Sequence, residues 1–558
     1  MTEDQLKHYQ EILEKKGYTA YIESEKSLQV EFQIGDEIIG TICEFPAHFP
    51  YVFPMVRVRE DGMLKCRGIP HVMSHEYLCL FNEADAKPNF LEPENLLLAT
   101  VERAGKILTN GILGKNQDDF KEEIIDYWNN KSCNKIHLFA DLPNRVTRFA
   151  AVLVQGIEEY YLAALSKADC EELYHKIVPG DDIGEIEYGL FLPLPESFLP
   201  QEVLTEKKMW ATIDRMVSAD MRRAIVTETE RLKADRLHFF IVSVPDGNGN
   251  KLLLGWRGKG TGTLNGFRCG HASPFLYWRM QPETKSELIR AETTLCSQSR
   301  LHNRGGYGYE FRFPSAAVVG CGSVGSHLCT MLASMGTDRF LLFDYEILTV
   351  DNISRHTCGY SWIGARKALA MQMQLQRHNP NIHCDAFVGN AFDTVVAQAE
   401  LICTYDILFI AVGDLPLEAY LLNLAKDACS WPPIAILWVE PRCYAAHMIY
   451  IQSIEDAFDS IIDAATMTYK KTVIHHAGSL IEHEPGCQSG YVPYSGVDVQ
   501  QFLGRSLHEL SRIRASHMQG NYHFIWIGEL SEARRMKIPI SPDFWDMEDY
   551  SFVVKRIG

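Results

Sequence analysis

"SAAVVGCGSVGSHLCTMLASMG", residues 315–336, decides the fold of the C-terminal part of this chain. An apolar run enters Gly320-x-Gly322-x-x-Gly325, and an amphipathic segment follows. That order predicts a strand, a tight turn and a helix. Gly320 lets the chain turn sharply, Gly322 lets backbone N–H groups approach phosphate, and Gly325 permits close helix–strand packing. The helix N-terminus adds positive potential. The glycines do not say whether the phosphates belong to NAD or ATP, because both uses need the same backbone. A glycine-rich turn can also be purely structural or bind another anion.

The next segments bear on that choice. "RFLLFDYE" closes an apolar run on Asp344, placed to accept hydrogen bonds from ribose hydroxyls in either nucleotide class. Asn352, Arg355 and Lys367 then follow at close intervals in "DYEILTVDNISRHTCGYSWIGARKALAMQMQL". A nicotinamide needs no such polar cluster, whereas a triphosphate does: two cations balance its oxygens and a departing pyrophosphate. Taken singly, Asp344 reads as a turn cap and Lys367 as a solvated helix cation. From about residue 302 onward, "SAAVVG", "RFLLFD", "YDILFIAVGD" and "IAILWVE" alternate with helical patterns, which predicts a parallel, doubly wound α/β sheet.

This constellation resembles the ubiquitin-activating-type adenylation domains that include the bacterial ThiF and MoeB proteins. Their pattern is a GxGxxG turn, an acidic strand end, then N-x-x-R and a downstream lysine. The resemblance implies ATP as the nucleotide, with Asp344 on the ribose and Arg355 and Lys367 on the phosphates. It also implies magnesium at an aspartate closing a later strand, a placement that Asp414 of "YDILFIAVGDLP" matches. His356 stands where the family often has glutamine.

An adenylated carboxylate needs an acceptor. Cys487, between Gly486 and Gln488, lies in "HHAGSLIEHEPGCQSGYVPYSGVDVQQF", a stretch of turn formers from which a thiol can reach an acyl-adenylate. The family's activating members carry a catalytic cysteine in a loop beyond the nucleotide site, which implies Cys487. His475, His476 and His483 lie nearby, where histidine is more often merely solvated. Cys321 inside the turn, Cys329 on its helix and Cys403 in a helix-like stretch are poorer candidates. A spectator loop cysteine is the bland alternative.

An independent signal comes from residues 1–131, read as a small α+β domain. "EFPAHFPYVFPMVRV" spaces Pro46, Pro50 and Pro54 between aromatics, which predicts an edge or extended wall. It resembles the Pro-rich strand and loop of ubiquitin-conjugating enzymes, where a His-Pro-Asn element, a cysteine and a long helix follow. Here Pro70-His71, Cys79 and a helix beginning near Pro93 follow, which makes Cys79 the implied conjugating nucleophile. The asparagine that helps stabilise the tetrahedral intermediate is absent. His71, His75, Asn82 and Asn89 are the candidates to replace it. A degenerate fold with Cys79 as a packed thiol is the alternative.

Composition bounds the rest. The 558 residues predict about three or four domains. A net charge of −18 argues against nucleic acid or anionic membrane as partner. No run approaches the roughly 20 apolar residues of a membrane span. Fifteen cysteines, no CxxC pair and an N-terminus without a secretory apolar region predict free thiols and a cytoplasmic protein. Residues 132–301 read as a linker domain of unnamed role, and "FFIVSVPDGNGNKLLLGW" within it as a hairpin. Residues 302–558 read as the adenylation domain with its cysteine loop.

The order, conjugating first and activating last, resembles the fused protein of bacterial CBASS anti-phage operons. That family joins the C-terminal carboxylate of a cGAS-like nucleotidyltransferase to a target amine, and related operons act on a ubiquitin-like protein. The resemblance implies a protein donor supplied in trans and a target lysine. The resemblance to the adenylation domains implies a homodimer, with Arg300 and Arg304 of "SRLHNRGG" as candidates to complete the neighbouring ATP site and a plain surface arginine as the alternative. Three other readings stand beside it: a sulfur-carrier-activating adenylyltransferase of the ThiF/MoeB type, a catalytically dead adaptor, and an NAD-dependent oxidoreductase.

Overall fold

In the computed structural model, the protein is described at residues 1–66, 69–72, 77–81, 86–116, 119–129, 132–200, 202–232, 238–246, 249–258, 260–261, 273–281, 287–303, 313–427, 431–453, 461–463, 465–475, 480–483 and 490–557. The chain divides into two units, residues 1–170 with 184–295 and residues 171–183 with 296–558.

The first unit begins with helix α1 (Glu3–Lys15), started by a Thr2/Gln5 capping box. An antiparallel meander follows: β1 (Thr19–Ser24), β2 (Ser27–Ile34), β3 (Glu37–Glu44) and β4 (Met55–Val58). The three prolines fall in the β3–β4 connection, where no ladder N–H is needed. Helix α2 (Glu60–Cys66) and the long α3 (Pro93–Ile112) come next, α3 having proline in its first turn. Leu97, Val101, Ala104 and Leu108, spaced for one helix face, meet Leu28, Val30 and Val58 in the core. The short helices α4 (Asp119–Glu122) and α5 (Ile124–Asn129) close this part.

Residues 132–295 contribute a closed barrel. Its strands are β5 (Ser132–Phe139), β6 (Thr147–Val154), β7 (Tyr160–Ala164), β8 (Glu187–Pro193), β9 (His238–Pro245), β10 (Lys251–Gly258) and β11 (Ile289–Leu295), in the order β10-β11-β5-β7-β6-β8-β9. The expected hairpin is β9–β10. Ile136, Phe149, Phe191, Phe239 and Ile241 pack together in one core, and Trp128, Trp210, Trp256 and Trp278 in another.

The second unit is built on an eight-stranded sheet: β12 (Ser315–Val319), β13 (Arg339–Phe343), β14 (His383–Phe387), β15 (Leu408–Ile410), β16 (Ile434–Val439), β17 (Ala445–Ile451) and two later strands. Between them lie two short ladders, β18 (Ile462–Asp463) with β19 (Thr468–Tyr469) and β20 (Glu482–His483) with β21 (Gly490–Tyr491). The sheet then resumes with β22 (Asn521–Ile527) and β23 (Phe552–Ile557), giving β14-β13-β12-β15-β16-β17-β22-β23. Strands β12 to β16 are parallel to one another, as the alternation predicts. β17, β22 and β23 extend the sheet antiparallel, so it is mixed rather than purely parallel. Ala316 and Val318 bury on one face and Ala317 and Val319 on the other, which is why β12 reads as an unbroken apolar run. Among the described residues, no helix is long and apolar enough to cross a membrane.

Candidate active sites

β12 delivers the glycine turn to the C-terminal edge of the parallel strands. Gly320 has φ 93°, and a Cβ there would stand 2.7 Å from the Ala411 carbonyl oxygen. At Gly325 a Cβ would stand 1.8 Å from the Gly320 carbonyl oxygen, so helix Ser323–Ser334 packs against the turn itself. Gly322 differs: a Cβ there would have nothing within 4 Å. The space it leaves opens into a cavity of about 640 Å³ at the helix N-terminus. Ser323 Oγ is buried there without a hydrogen-bond partner among the described residues. A vacant glycine cradle and an unpaired hydroxyl at a helix start fit an anionic group such as phosphate.

Gly322, Asn352, Arg355 and Lys367 all line this cavity. Asn352 Oδ1 accepts from the Thr349 backbone N–H at 3.0 Å, which leaves the Nδ2 side of the amide for a ligand. The Arg355 guanidinium lies over the Tyr494 ring and reaches the Val492 carbonyl oxygen at 3.5 Å. Lys367 is buried at the start of helix Lys367–His378, with Nζ 2.5 Å from Glu346 Oε2. Asp344 stands beside the turn and accepts from the N–H groups of Cys321 and Glu346, each at 2.7 Å. Burial lifts its carboxyl above the ordinary range, against the pull of those two bonds.

His356 does not face a ligand with a free nitrogen. Its Nδ1 accepts from Cys358 N–H at 3.0 Å, so Nε2 carries the proton and donates to the Cys321 carbonyl oxygen at 2.8 Å. Burial holds it neutral by lowering it to about 4. The ring therefore braces the glycine turn.

Asp414 is exposed, and its Oδ1 accepts from Leu417 N–H at 3.4 Å at the start of helix Leu415–Asp427. The buried carboxyl that lines the cavity is Glu418, one helical turn on. Glu418 accepts from Gly413 N–H and the Tyr469 hydroxyl, and burial lifts it to about 7. Glu346, Glu418, Trp438, Tyr469, Thr472 and Tyr494 are cavity residues absent from the sequence reading. Only Glu418 had a sequence signal, its i,i+4 spacing from Asp414. Cys487, His476 and Arg304 lie outside the described residues, as does the His483 side chain. His475 is exposed, and Arg300 sits on the short helix Gln298–Asn303.

The first unit holds a second cluster. Cys79 is partly buried, and its N–H donates to the His71 carbonyl oxygen at 2.8 Å. His71 Nε2 donates to Asp119 Oδ2 at 2.9 Å. Nδ1 lies 2.9 Å from Glu123 Oε1 but off the hydrogen-bond direction, an ionic contact that leaves the Nδ1 proton without an aligned acceptor. A ring nitrogen of His71, Cys79 Sγ and a Glu123 carboxylate oxygen all lie within 4.8 Å of one another. Contact with Cys79, then Glu123 and Asp119, raises the imidazole to about 10 in spite of burial. Of the four candidates for the missing asparagine, His71 meets Cys79. Asn89 is engaged in the turn before α3, and His75 and Asn82 lie outside the described residues. Asp119 and Glu123 escaped the sequence reading because "NQDDFKEEIIDYW" reads as a solvated helix face.

Residues 310–431 match the ThiF family, and residues 15–137 match Prokaryotic E2 family B. An adenylation module of the first kind and a conjugating module of the second, in one chain, define an activating and conjugating enzyme. The chain is similar to the ATP-dependent ubiquitin transferase-like protein Cap2 of Pseudomonas aeruginosa, at 22% identity over 468 residues, 79% of each chain. Cap2 of Enterobacter hormaechei is 27% identical over 151 residues, 27% of this chain and 25% of that one. The adenylyltransferase and sulfurtransferase MOCS3 of Sus scrofa is 30% identical over 116 residues, 21% of this chain and 24% of its own.

Proposed function

We propose that the protein activates the C-terminal carboxylate of a partner protein with ATP and conjugates it to an amine through two cysteines. The observation that carries the reading is the cavity at Gly322, where an unpaired hydroxyl, a helix N-terminus, Arg355 and Lys367 converge. ATP is the substrate there, with Asp344 on the ribose, Asn352 beside it and the two cations on the phosphates. The partner's carboxylate attacks the α-phosphorus, pyrophosphate leaves, and the acyl-adenylate forms. Lys367, held in place by Glu346, neutralises charge developing on the leaving group. Magnesium would sit near Asp414, adding charge neutralisation; Asp414 is exposed and able to turn toward a metal.

The Cys487 thiolate then displaces AMP, and the acyl group passes to Cys79 by thioester exchange. A lysine of the target takes it as an amide. The donor is a ubiquitin-like protein or a cGAS-like nucleotidyltransferase in anti-phage defence. Similarity to Cap2 along most of the chain supports the conjugating relay over a sulfur-carrier activator, since the MOCS3 similarity covers a fifth of the chain. A homodimer is part of the proposal, with Arg300 or Arg304 completing the neighbouring site; sedimentation showing a fully active monomer at micromolar concentration would count against it.

The test is the relay itself, read on gels with ATP, magnesium and each candidate donor. Cys487→Ala should form acyl-adenylate but no thioester, and Cys79→Ala should accumulate a reducible adduct at Cys487. A Cys487→Ala protein that still charges Cys79 would remove Cys487 from the relay. Normal amide formation by Cys79→Ala would reduce the first module to recruitment.

A further inference from the structure

We propose that His71 is a catalytic residue of the conjugating module: its ring N–H stabilises the oxyanion formed when an amine attacks an acyl group on Cys79. That is the task of the asparagine this chain lacks. The inference rests on the reading of Cys79 as the acyl carrier.

The geometry points to it from several sides. His71 follows Pro70, as the asparagine follows proline in the His-Pro-Asn element. Its backbone has φ 66°, a left-handed conformation that costs energy for a residue with a side chain. Main-chain bonds hold that conformation: His71 N–H donates to the Tyr127 hydroxyl, and its carbonyl oxygen accepts from Cys79 N–H. The ring therefore comes to the sulfur because the backbone between them is tied. Asp119 takes one ring proton in an aligned hydrogen bond. The other ring nitrogen, Nδ1, is buried and has no aligned acceptor among the described residues, although Glu123 lies 2.9 Å away. A buried donor left without an acceptor is costly in the resting protein and becomes useful when a new negative oxygen forms beside it.

The groups facing the ring are Asp119, Glu123, Cys79 and Tyr127. Cys79, Glu123 and Asp119 together raise the imidazole, and once Cys79 carries an acyl group the two carboxylates remain to favour the protonated, donating ring over a base that takes the amine proton. Asp119 and Glu123 are positioning residues, acting through the ring.

The step balances without any further reactant. The amine lone pair forms the C–N bond, and the carbonyl π pair moves onto oxygen, where His71 donates to it. The oxyanion collapses, the C–S bond breaks, and its electron pair leaves on Cys79 sulfur. The proton lost by nitrogen ends on that sulfur: R–CO–S–Cys79 plus R′–NH₂ gives R–CO–NH–R′ plus HS–Cys79.

The experiment bypasses the donor protein. The full-length protein is acylated by a Gly-Gly mercaptoethanesulfonate thioester to completion, and peptide mass mapping follows Cys79. Discharge to free lysine is then read in a single turnover. His71→Gly removes the ring while tolerating the positive φ, and His71→Asn restores a neutral donor. His71→Gly should discharge about 10²-fold more slowly, the loss typical of one oxyanion donor. His71→Asn should recover to within about tenfold of wild type, at matched melting temperatures. Wild-type discharge by His71→Gly would overturn the inference alone, as would a His71→Asn no faster than His71→Gly. A wild-type protein whose Cys79 takes no acyl group would overturn the conjugating reading, and this inference with it.

Discussion

At the glycine turn, cations and unpaired donors face the cavity: Arg355, Lys367, the Ser323 hydroxyl and the helix N-terminus. The buried acid there, Glu418, is raised to about 7, so half of it is neutral at that pH. At Cys79 the arrangement is inverted. A single cation, His71, sits inside a ring of acids, Asp119 and Glu123. One site is prepared for a polyanion that arrives from solution, with the Ser323 hydroxyl unpaired and Lys367 held by one exposed carboxylate, Glu346. The other holds its cation between two carboxylates, one hydrogen-bonded and one in ionic contact, and presents net negative charge to a visitor. A protonated amine is drawn to such a surface, and a phosphate is repelled. The two sites therefore differ as the two reagents of the proposed reaction differ.

The sharpest way to break this contrast is to remove a cation that faces the cavity. Lys367→Ala should lower ATP–pyrophosphate exchange by about 10²–10³-fold while the protein melts normally, because its partner Glu346 is exposed. Undiminished exchange would take Lys367 out of the phosphate site. The glycines come next. Gly325→Ala drives a Cβ into the Gly320 carbonyl and should cost about 3 kcal/mol or more in denaturant melts. Gly322→Ala meets open space, so its stability should stay within about 1 kcal/mol while nucleotide affinity falls about tenfold. Equal effects from the two would refute the distinction between a packing glycine and a cradle glycine.

A third measurement tests the inverted site. Glu123→Gln should lower the His71 imidazole from about 10 toward its usual 6.5, followed by NMR titration. The sign also sets a stability window. With the folded value raised, the stabilisation from His71 is complete below pH 6.5 and is lost as pH rises through about 10. An imidazole in Glu123→Gln that titrates as in the wild type would leave Asp119 and Cys79 as the groups that hold the charge. The smallest effect belongs to His356. His356→Gln keeps a side-chain N–H for the Cys321 carbonyl, so exchange should change by no more than a few-fold. His356 is lowered to about 4, so its stabilising contribution is present above pH 6.5 and lost as pH falls toward 4. His356→Gln should abolish that part of the acid sensitivity in a pH series of melts.

Legibility followed distance along the chain. Gly320, Asp344, Asn352, Arg355 and Lys367 lie in one continuous stretch, and the cavity brings most of them together as their order suggested. The opposite wall was silent, because Trp438, Tyr469 and Tyr494 arrive from β16, β19 and the segment after β21. Each is an ordinary aromatic until the sheet closes. Asp414 was expected to close a strand, but β15 ends at Ile410 and Asp414 stands at the start of the next helix, with the buried carboxyl, Glu418, four residues further on. The barrel could not be read at all, since β5 pairs with β11 and β7 and the order mixes parallel with antiparallel neighbours. Cys79 was readable from its flanks, whereas its acids were hidden in a charge run. The antiparallel extension β17, β22 and β23 leaves no local signal beyond apolar strands.

The Arg355–Val492 contact sets a leash. Val492 follows the short strand β21, and its carbonyl oxygen lies 3.5 Å from the Arg355 guanidinium. The same guanidinium lies over the ring of Tyr494, two residues further on. The arginine proposed to bind the phosphates thus also moors a segment well over a hundred residues away in sequence, so losing that side chain would free Val492 and Tyr494 as well as remove a charge.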